Sequence, residues 1–293
     1  MSDRIGRTGI IMKTNRKTAH TLLLTLFVCM LLSALRTDSS TAYAATRKVR
    51  YVAHRGLSAS APENTLAALR LAAQMPGFYG VEFDIWESRA EKSPPLLLVM
   101  HDQNTKRMCG KSADIRTLTS ADLSEYPIRN GKNIQQYTGQ TIPTAKQALD
   151  TIWNHSAGAV PVIELKHRLS SRALKYLIRL IGKHKAVIIS FDFKAVANAS
   201  KRIHRKKLSR KIKTMYLMSS LSPGQYSSIA RRLKKAKIDA ISLRYTAVRK
   251  KTVKTFHKAG IEVCVWTVPD KKRARKYKRM GVDYITCNSA LFE

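Results

Sequence analysis

The sequence predicts an α/β chain closed into a TIM-type (β/α)8 barrel. Three observations predict it. From about residue 142 onward, short β-rich runs alternate with lysine- and arginine-rich stretches whose apolar residues recur at three- and four-residue spacing. That alternation points to a parallel sheet with helical crossovers. The strand runs total eight once the run before His54 and one member of a hairpin are added, the other hairpin member being extra, and right-handed crossovers carry such a set round to closure. Finally, if the first 44 of the 293 residues are a leader, residues 45–293 remain, a length that suits one barrel of about 250 residues with a single large core.

The leader comes first in the chain. Arg16 and Lys17 precede an apolar run from Leu22 to Leu35, then a polar stretch and Ala42-Tyr43-Ala44. This basic, apolar, small-x-small order is that of a secretory signal peptide. Cleavage after Ala44 would make the protein secreted. The other reading is an uncleaved anchor, disfavoured because spanning a bilayer takes about 20 apolar residues. Met12-Lys13 offers a second start, and Cys29 lacks the small neighbours expected before a lipid-modified cysteine.

Val49–Ala53 is a β-rich run that delivers His54 at its end. Ser60-Ala61-Pro62-Glu63 reads as a capping box with proline in the first turn, which gives Glu63 the task of closing its own helix. Leu66, Leu69, Ala72 and Ala73 continue that helix to about Gln74, and Pro76-Gly77 stops it. Val81–Trp86 and Leu96–Met100 are strands joined by Glu87–Pro95, too short a link for a parallel crossover, so a hairpin is expected. Pairing about the middle of that link sets residue 82 opposite residue 100. Residues 103–141 are polar, with Gly110, Gly131 and Gly139 and little apolar periodicity. Ile142-Pro143-Thr144 opens a helix carrying Ala148, Leu149 and Ile152. The remaining strands are Val160–Leu165, Val187–Ser190, Ile212–Leu217, Ala240–Leu243, Glu262–Trp266 and Asp283–Thr286, with helices near Ala173–Ile181 and Ser227–Ala236.

Charge is the unusual part of the composition. The chain is formally +35, and such a balance attracts polyanions: anionic lipid headgroups, wall polymers or nucleic acid. Lys201–Lys213 and Lys271–Arg279 are the densest runs, and each also fits the solvated outer face of a barrel helix. No zinc-finger spacing or RNA-binding aromatic pattern accompanies them, so specific nucleic-acid binding is not expected. Cys109, Cys264 and Cys287 are too few and too scattered for a disulfide framework. They read as buried apolar residues, with a Cys264–Cys287 bridge left open.

The chemistry gathers near the start. Glu82 and Asp84 share one face of a strand, and paired carboxylate oxygens of that kind suit Ca²⁺ or Mg²⁺. His54 and His101 supply an acid and a base near neutral pH. Together they point to metal-assisted phosphoryl chemistry.

Ala53-His54-Arg55-Gly56, Pro62-Glu63-Asn64-Thr65, Glu82-Phe83-Asp84 and His101-Asp102 resemble, in this order, the motifs of the glycerophosphodiester phosphodiesterases. The likeness continues through Ile142-Pro143-Thr144, Glu164-Leu165-Lys166, Ser190-Phe191, Trp266-Thr267-Val268 and Gly281-Val282-Asp283. It differs in the hairpin turn, where Arg89–Pro95 replaces a shorter family turn. The resemblance implies a barrel with a small insertion at about 103–141, after the second strand. It also implies hydrolysis of a glycerophosphodiester to an alcohol and glycerol 3-phosphate.

On that resemblance, His54 and His101 are the catalytic pair, and Glu82, Asp84 and Glu164 hold the divalent cation. Arg55 and Lys166 bind the phosphodiester, and Trp266 is either a wall for the glycerol moiety or ordinary core. Glu63 and Asp102 stand behind these, Asp102 orienting His101 or its turn. Ser190, Phe191 and Asp283 shape the pocket or pack. His155, His167, His184, His204 and His257 are expected on exposed helices or loops. The same machinery would also serve lysophospholipid, glycerophosphoinositol or a glycerophosphate wall polymer. A weakly catalytic surface protein that binds polyanions, an anionic membrane or cell-wall polymer is the alternative of another class. Alcohol specificity and oligomeric state are not legible.

Overall fold

The computed structural model describes residues 48–156 and 158–292; the leader at 1–44, with Cys29, lies outside the described residues. The strands are β1 (Arg50–Ala53), β2 (Phe78–Lys92), β3 (Pro95–Val99), β4 (Val160–Leu165), β5 (Ala186–Ser190), β6 (Ile212–Met218), β7 (Ala240–Arg244), β8 (Glu262–Trp266) and β9 (Tyr284–Cys287). Eight are parallel in the order β1-β9-β8-β7-β6-β5-β4-β2, and a β1–β2 pairing closes the ring. β3 is the ninth, antiparallel on β2. The crossover helices are α1 (Leu66–Gln74), α3 (Ala145–His155), α4 (Ser171–Ile181), α5 (Phe193–Arg205), α6 (Tyr226–Lys235), α7 (Lys250–Lys258) and α8 (Lys271–Met280), with a short α2 (Lys106–Cys109) in the insertion.

Alternation along each strand sorts the core into two layers. Val52, Val162, Val187, Ile189, Leu217 and Cys264 fill the barrel interior. Ile163, Leu165, Ile188, Val263 and Val265 face outward against helix residues such as Leu177, Ile203, Leu233 and Phe256. On β4, then, Val160 and Val162 share the interior face with Glu164, and on β8 Cys264 shares it with Trp266. Both polar residues are the last interior-facing ones before the C-terminal end. Cys109, Cys264 and Cys287 are buried and free, so no Cys264–Cys287 bridge forms; Cys264 Sγ lies 3.5 Å from Thr286 Oγ1.

Two local expectations are corrected. Helix α1 does not begin at Ser60–Glu63. Asn64 has φ +59°, a left-handed conformation that a right-handed helix cannot absorb. The N-cap is instead Thr65, whose side chain accepts from the Ala68 amide, so Glu63 is released from capping. The hairpin is also displaced. Ile85 pairs with Val99 and Trp86 with Leu98, which sets residue 84, not 82, opposite residue 100; Met100 N–H donates to the Asp84 carbonyl at 3.2 Å. The cause is that β2 runs on to Lys92 through a bulge, so the residues read as a link are mostly strand.

The insertion has a small core of its own. Met108, Ile115, Leu118 and Tyr126 pack against Trp86, Leu98 and Met100 of the hairpin. These residues come from the one-turn α2, short 3₁₀ segments and their caps, all too short for an apolar period to announce them. At its far side Thr144 caps α3 in a reciprocal box with Gln147.

Candidate active site

The C-terminal ends of β1, β4 and β8, the first half of the long β2 and the segment just after β3 surround a pocket lined by His54, Arg55, Glu82, His101, Glu164 and Trp266, with Ile189, Phe191, Leu217, Ser242 and Thr286 completing it. The chain makes a tight turn after β1, with φ +56° at Arg55 and +73° at Gly56. This turn grips Glu82 twice: Arg55 N–H donates to its carboxylate at 2.7 Å and Gly56 N–H to its carbonyl at 3.0 Å. A Cβ at Gly56 would lie 2.5 Å from the Ala68 carbonyl carbon, so only glycine fits.

Asp84 is held from the other side by Asn64. The Asn64 amide donates to the Asp84 carboxylate at 2.8 Å and accepts from the Asp84 backbone N–H at 3.2 Å. Register then sets Asp84 beside Glu164. Carboxylate oxygens of Glu82, Asp84 and Glu164, all buried, lie within 4.8 Å of one another. Among the described residues this is the one such group able to surround an ion. Lys166 Nζ reaches Glu164 at 2.8 Å and Asp84 at 3.4 Å. Arg55 Nε is 3.5 Å from Asp84.

Electrostatics follow from this crowding. Burial, then the charges of Asp84 and Glu164, push the Glu82 carboxyl well above its ordinary range. Burial and Asp84 raise Glu164 to about 7 against the pull of Lys166. Asp84 goes the other way: burial acts to raise it, but Lys166, Arg55 and His101 outweigh that and hold it low. Three carboxylates meeting out of water repel one another unless protons or a cation intervene. A buried, all-oxygen donor set of this kind fits a hard divalent ion.

The histidines have different neighbours. His54 Nδ1 lies 2.8 Å from Asn288 Oδ1; burial and the adjacent Arg55 push its pKa down to about 4. His101 Nδ1 lies 2.7 Å from an Asp102 oxygen. Arg107, from α2, donates to the second Asp102 oxygen and reaches Glu63 at 2.6 Å. Glu63 also takes Arg55 Nη1 at 2.9 Å. Trp266 borders the pocket edge-on to Phe191, ring centroids 5.3 Å apart, and its buried indole N–H has no protein acceptor.

All ten residues singled out from the sequence therefore converge, eight directly around the carboxylates and rings, with Glu63 and Asp102 behind them. Asn64, Asn288 and Arg107 were missed as site residues. Asn64 sits inside the quoted Pro62–Thr65 stretch, so a signal existed; nothing local marks Asn288 or Arg107. Some outlying assignments change. His257 Nε2 lies 2.6 Å from Asp283, which also accepts from the Val263 amide at 2.8 Å. That pair ties α7 to the N-terminal end of the barrel and is no loose surface group. His167, half-buried, stacks on Trp86, whereas His184 lies exposed in the loop before β5, as expected, with its ring stacked on Trp153. Ser190 donates to the Leu165 carbonyl, a packing role.

Comparison with known proteins gives a consistent set of likenesses. The model of the glycerophosphoryl diester phosphodiesterase family matches residues 54–290. A glycerophosphodiester phosphodiesterase of Bacillus subtilis is 24% identical over 262 residues, 82% of this chain and 84% of that protein. Among solved structures, an Oleispira antarctica phosphodiesterase in complex with the product sn-glycerol-3-phosphate is 25% identical, with TM-score 0.70, covering 83% of this chain and 94% of that one. A Thermotoga maritima glycerophosphodiester phosphodiesterase is 27% identical, with TM-score 0.62, covering 83% and 96%.

Proposed function

This chain belongs to the glycerophosphoryl diester phosphodiesterase family and is a phosphoric diester hydrolase; from that premise we propose that Glu82, Asp84 and Glu164 bind one divalent cation, Ca²⁺ or Mg²⁺, and that His54 and His101 move the protons of the reaction. The observation carrying the proposal is the meeting of three buried carboxylates within 4.8 Å in a pocket that both histidines line. A bound ion there supplies electrophilic help to the phosphoryl oxygens and offsets charge gathering on them.

The protein's own groups divide the remaining work. With Nδ1 donating to Asn288 Oδ1, His54 leaves Nε2 as its open acceptor. A pKa near 4 keeps the ring neutral at physiological pH. His54 is therefore the base that takes a proton from the attacking hydroxyl, of the substrate's own glycerol or of water. His101, steered through Nδ1 by Asp102, gives its proton to the departing alkoxide as the P–O bond breaks. Arg55 and Lys166 bring positive charge to the phosphodiester, and the unpartnered Trp266 N–H offers a donor to a glycerol oxygen.

The test is glycerol phosphate release from glycerophosphocholine by purified protein. We expect loss of activity in chelator, recovery on adding Ca²⁺ or Mg²⁺, and a fall of about 10²–10⁴-fold in His54→Ala and His101→Ala. Undiminished turnover in chelator would remove the cation from the reaction, and near-wild-type rates in either variant would remove that ring. Residues 1–44 are read as an export signal placing the enzyme outside the cell; an N-terminus at residue 45 in culture-medium protein supports this, and a leader retained on membranes refutes it.

A further inference from the structure

We propose that the outer wall formed by α5, α6, α7 and α8 is a docking surface for a flexible, linear polyphosphodiester that carries no bases. These helices fill four consecutive crossovers, from β5 through β9. Residues 193–282 contain 27 Lys and Arg against three Asp and Glu, a net of +24, whereas residues 48–192 contain 20 against 12, a net of +8. The basicity is therefore concentrated on one half of the barrel. Seven of the ten residues of α8 are basic, and Lys271, Lys272, Arg275, Lys276, Lys278 and Arg279 are all exposed.

The three acids within that half are already engaged. Asp239 accepts from the Thr214 backbone and hydroxyl at 2.8 and 3.0 Å. Glu262 takes Arg50 at 2.6 Å and Lys213 at 2.7 Å. Asp270 caps α8. Cations in the last turns of these helices, such as Lys278 and Arg279, gain from the helix dipole, but like charges three and four residues apart repel along a helix. Lys271 and Lys272 also sit at the N-terminal end, where the helix dipole disfavours cations. A surface built this way is stabilised by a multivalent anion, whose binding releases many counterions at once.

Shape selects the kind of anion. Four of eight crossovers wrap half the circumference of a closed barrel, so a flat membrane touches only part of the wall at a time, while a flexible chain follows it. Among the described residues the one exposed large apolar side chain is Phe191, at the pocket. The wall thus offers neither an apolar anchor for lipid nor an aromatic platform for bases. Repeated phosphates on a simple backbone are what it fits. Each helix follows the C-terminal end of a strand, so the wall begins at the pocket's rim with Lys194, Lys250 and Lys271 and runs away from it. Docking does not require the pocket to cut the polymer, so it stands or falls apart from the catalytic reading.

The experiment measures binding of the full chain, in chelator so that nothing is cleaved, to three probes. These are a labelled synthetic poly(glycerol phosphate), a thymidine oligonucleotide of equal phosphate number, and phosphatidylglycerol-containing vesicles. We expect the first to bind about tenfold more tightly than the others. Its affinity should fall with log[salt] at a slope of about −4 or steeper, as for six or more neutralised phosphates on a single strand. Lys271→Glu with Lys272→Glu and Lys276→Glu should weaken it at least tenfold while glycerophosphocholine turnover with metal stays at the wild-type rate. The same number of reversals on the other half, Lys175→Glu, Lys183→Glu and Lys185→Glu, should weaken it far less. If the α8 variant does not fold, Arg231→Gln with Lys234→Gln and Lys235→Gln on α6 reads the same loss. Preference for the oligonucleotide or vesicles, equal losses from both halves, or no binding to poly(glycerol phosphate) overturns the proposal.

Discussion

Arg107 holds two carboxylates, one against His101 and one against Arg55. Through Asp102 it steadies His101, and through Glu63 it steadies Arg55. Arg107→Ala should lower kcat on glycerophosphocholine by about 10- to 100-fold, the usual range for groups that orient a metal-site ligand or catalytic ring. Arg107→Lys should recover only part, because a point charge cannot span both acids as a planar fork does. An alanine variant with unchanged kcat removes the role. The carboxylate cluster makes a second prediction at this scale. Glu164 is raised to about 7 and Glu82 is raised as well. The folded protein, free of metal, therefore keeps protons that the unfolded chain has released above about pH 4.5. That stabilisation is complete below the ordinary carboxylate range and is lost as pH rises through about 7. A divalent ion competes with those protons, so Ca²⁺ or Mg²⁺ should raise Tm more at pH 8 than at pH 5; the reverse order in calorimetry refutes the site.

At the scale of elements, the turn after β1 and the hairpin decide where the chemistry goes. Gly56→Ala introduces a Cβ 2.5 Å from backbone at φ +73°. The strain of such a conformation alone is about 1–3 kcal/mol, and the clash adds to it. Because the same turn grips Glu82, urea unfolding should show that loss and metal affinity should fall with it. A variant as stable as wild type would mean that the turn relaxes freely. The helix after the turn shows where local reading fails. Ser60–Glu63 satisfies every cue for a capping box, yet Asn64 is drawn out of line to clasp Asp84, and α1 starts only at Thr65. The hairpin register failed for the related reason that continued pairing of β2 outweighs a turn placed by symmetry.

For the whole molecule, charge is the dominant global term. A formal +35 opposes compaction, and its long-range part is screened over about 10 Å at 0.1 M salt. Raising sodium chloride from about 20 to about 300 mM should therefore raise Tm by several degrees, more than in most small globular proteins; a flat or falling Tm means the repulsion is already compensated within the fold. The barrel itself tolerates the load because the cations project outward from helices whose inner faces carry the apolar residues.

The amino-acid sequence by itself determined the order of strands and helices, and it placed Glu82 with Asp84 on a shared strand face. Those properties depend on a period of two or 3.6 residues and need only neighbours in the chain. Tertiary structure decided that Asn288 would meet His54, that Arg107 would cross from the insertion to Asp102 and Glu63, and that Asn64 would leave its helix for Asp84. The contacts of Asn288, of Arg107 with Glu63 and of Asn64 join residues distant along the chain, and only closure of the barrel and docking of the insertion bring such groups within hydrogen-bonding range; Asp102 lies just five residues from Arg107.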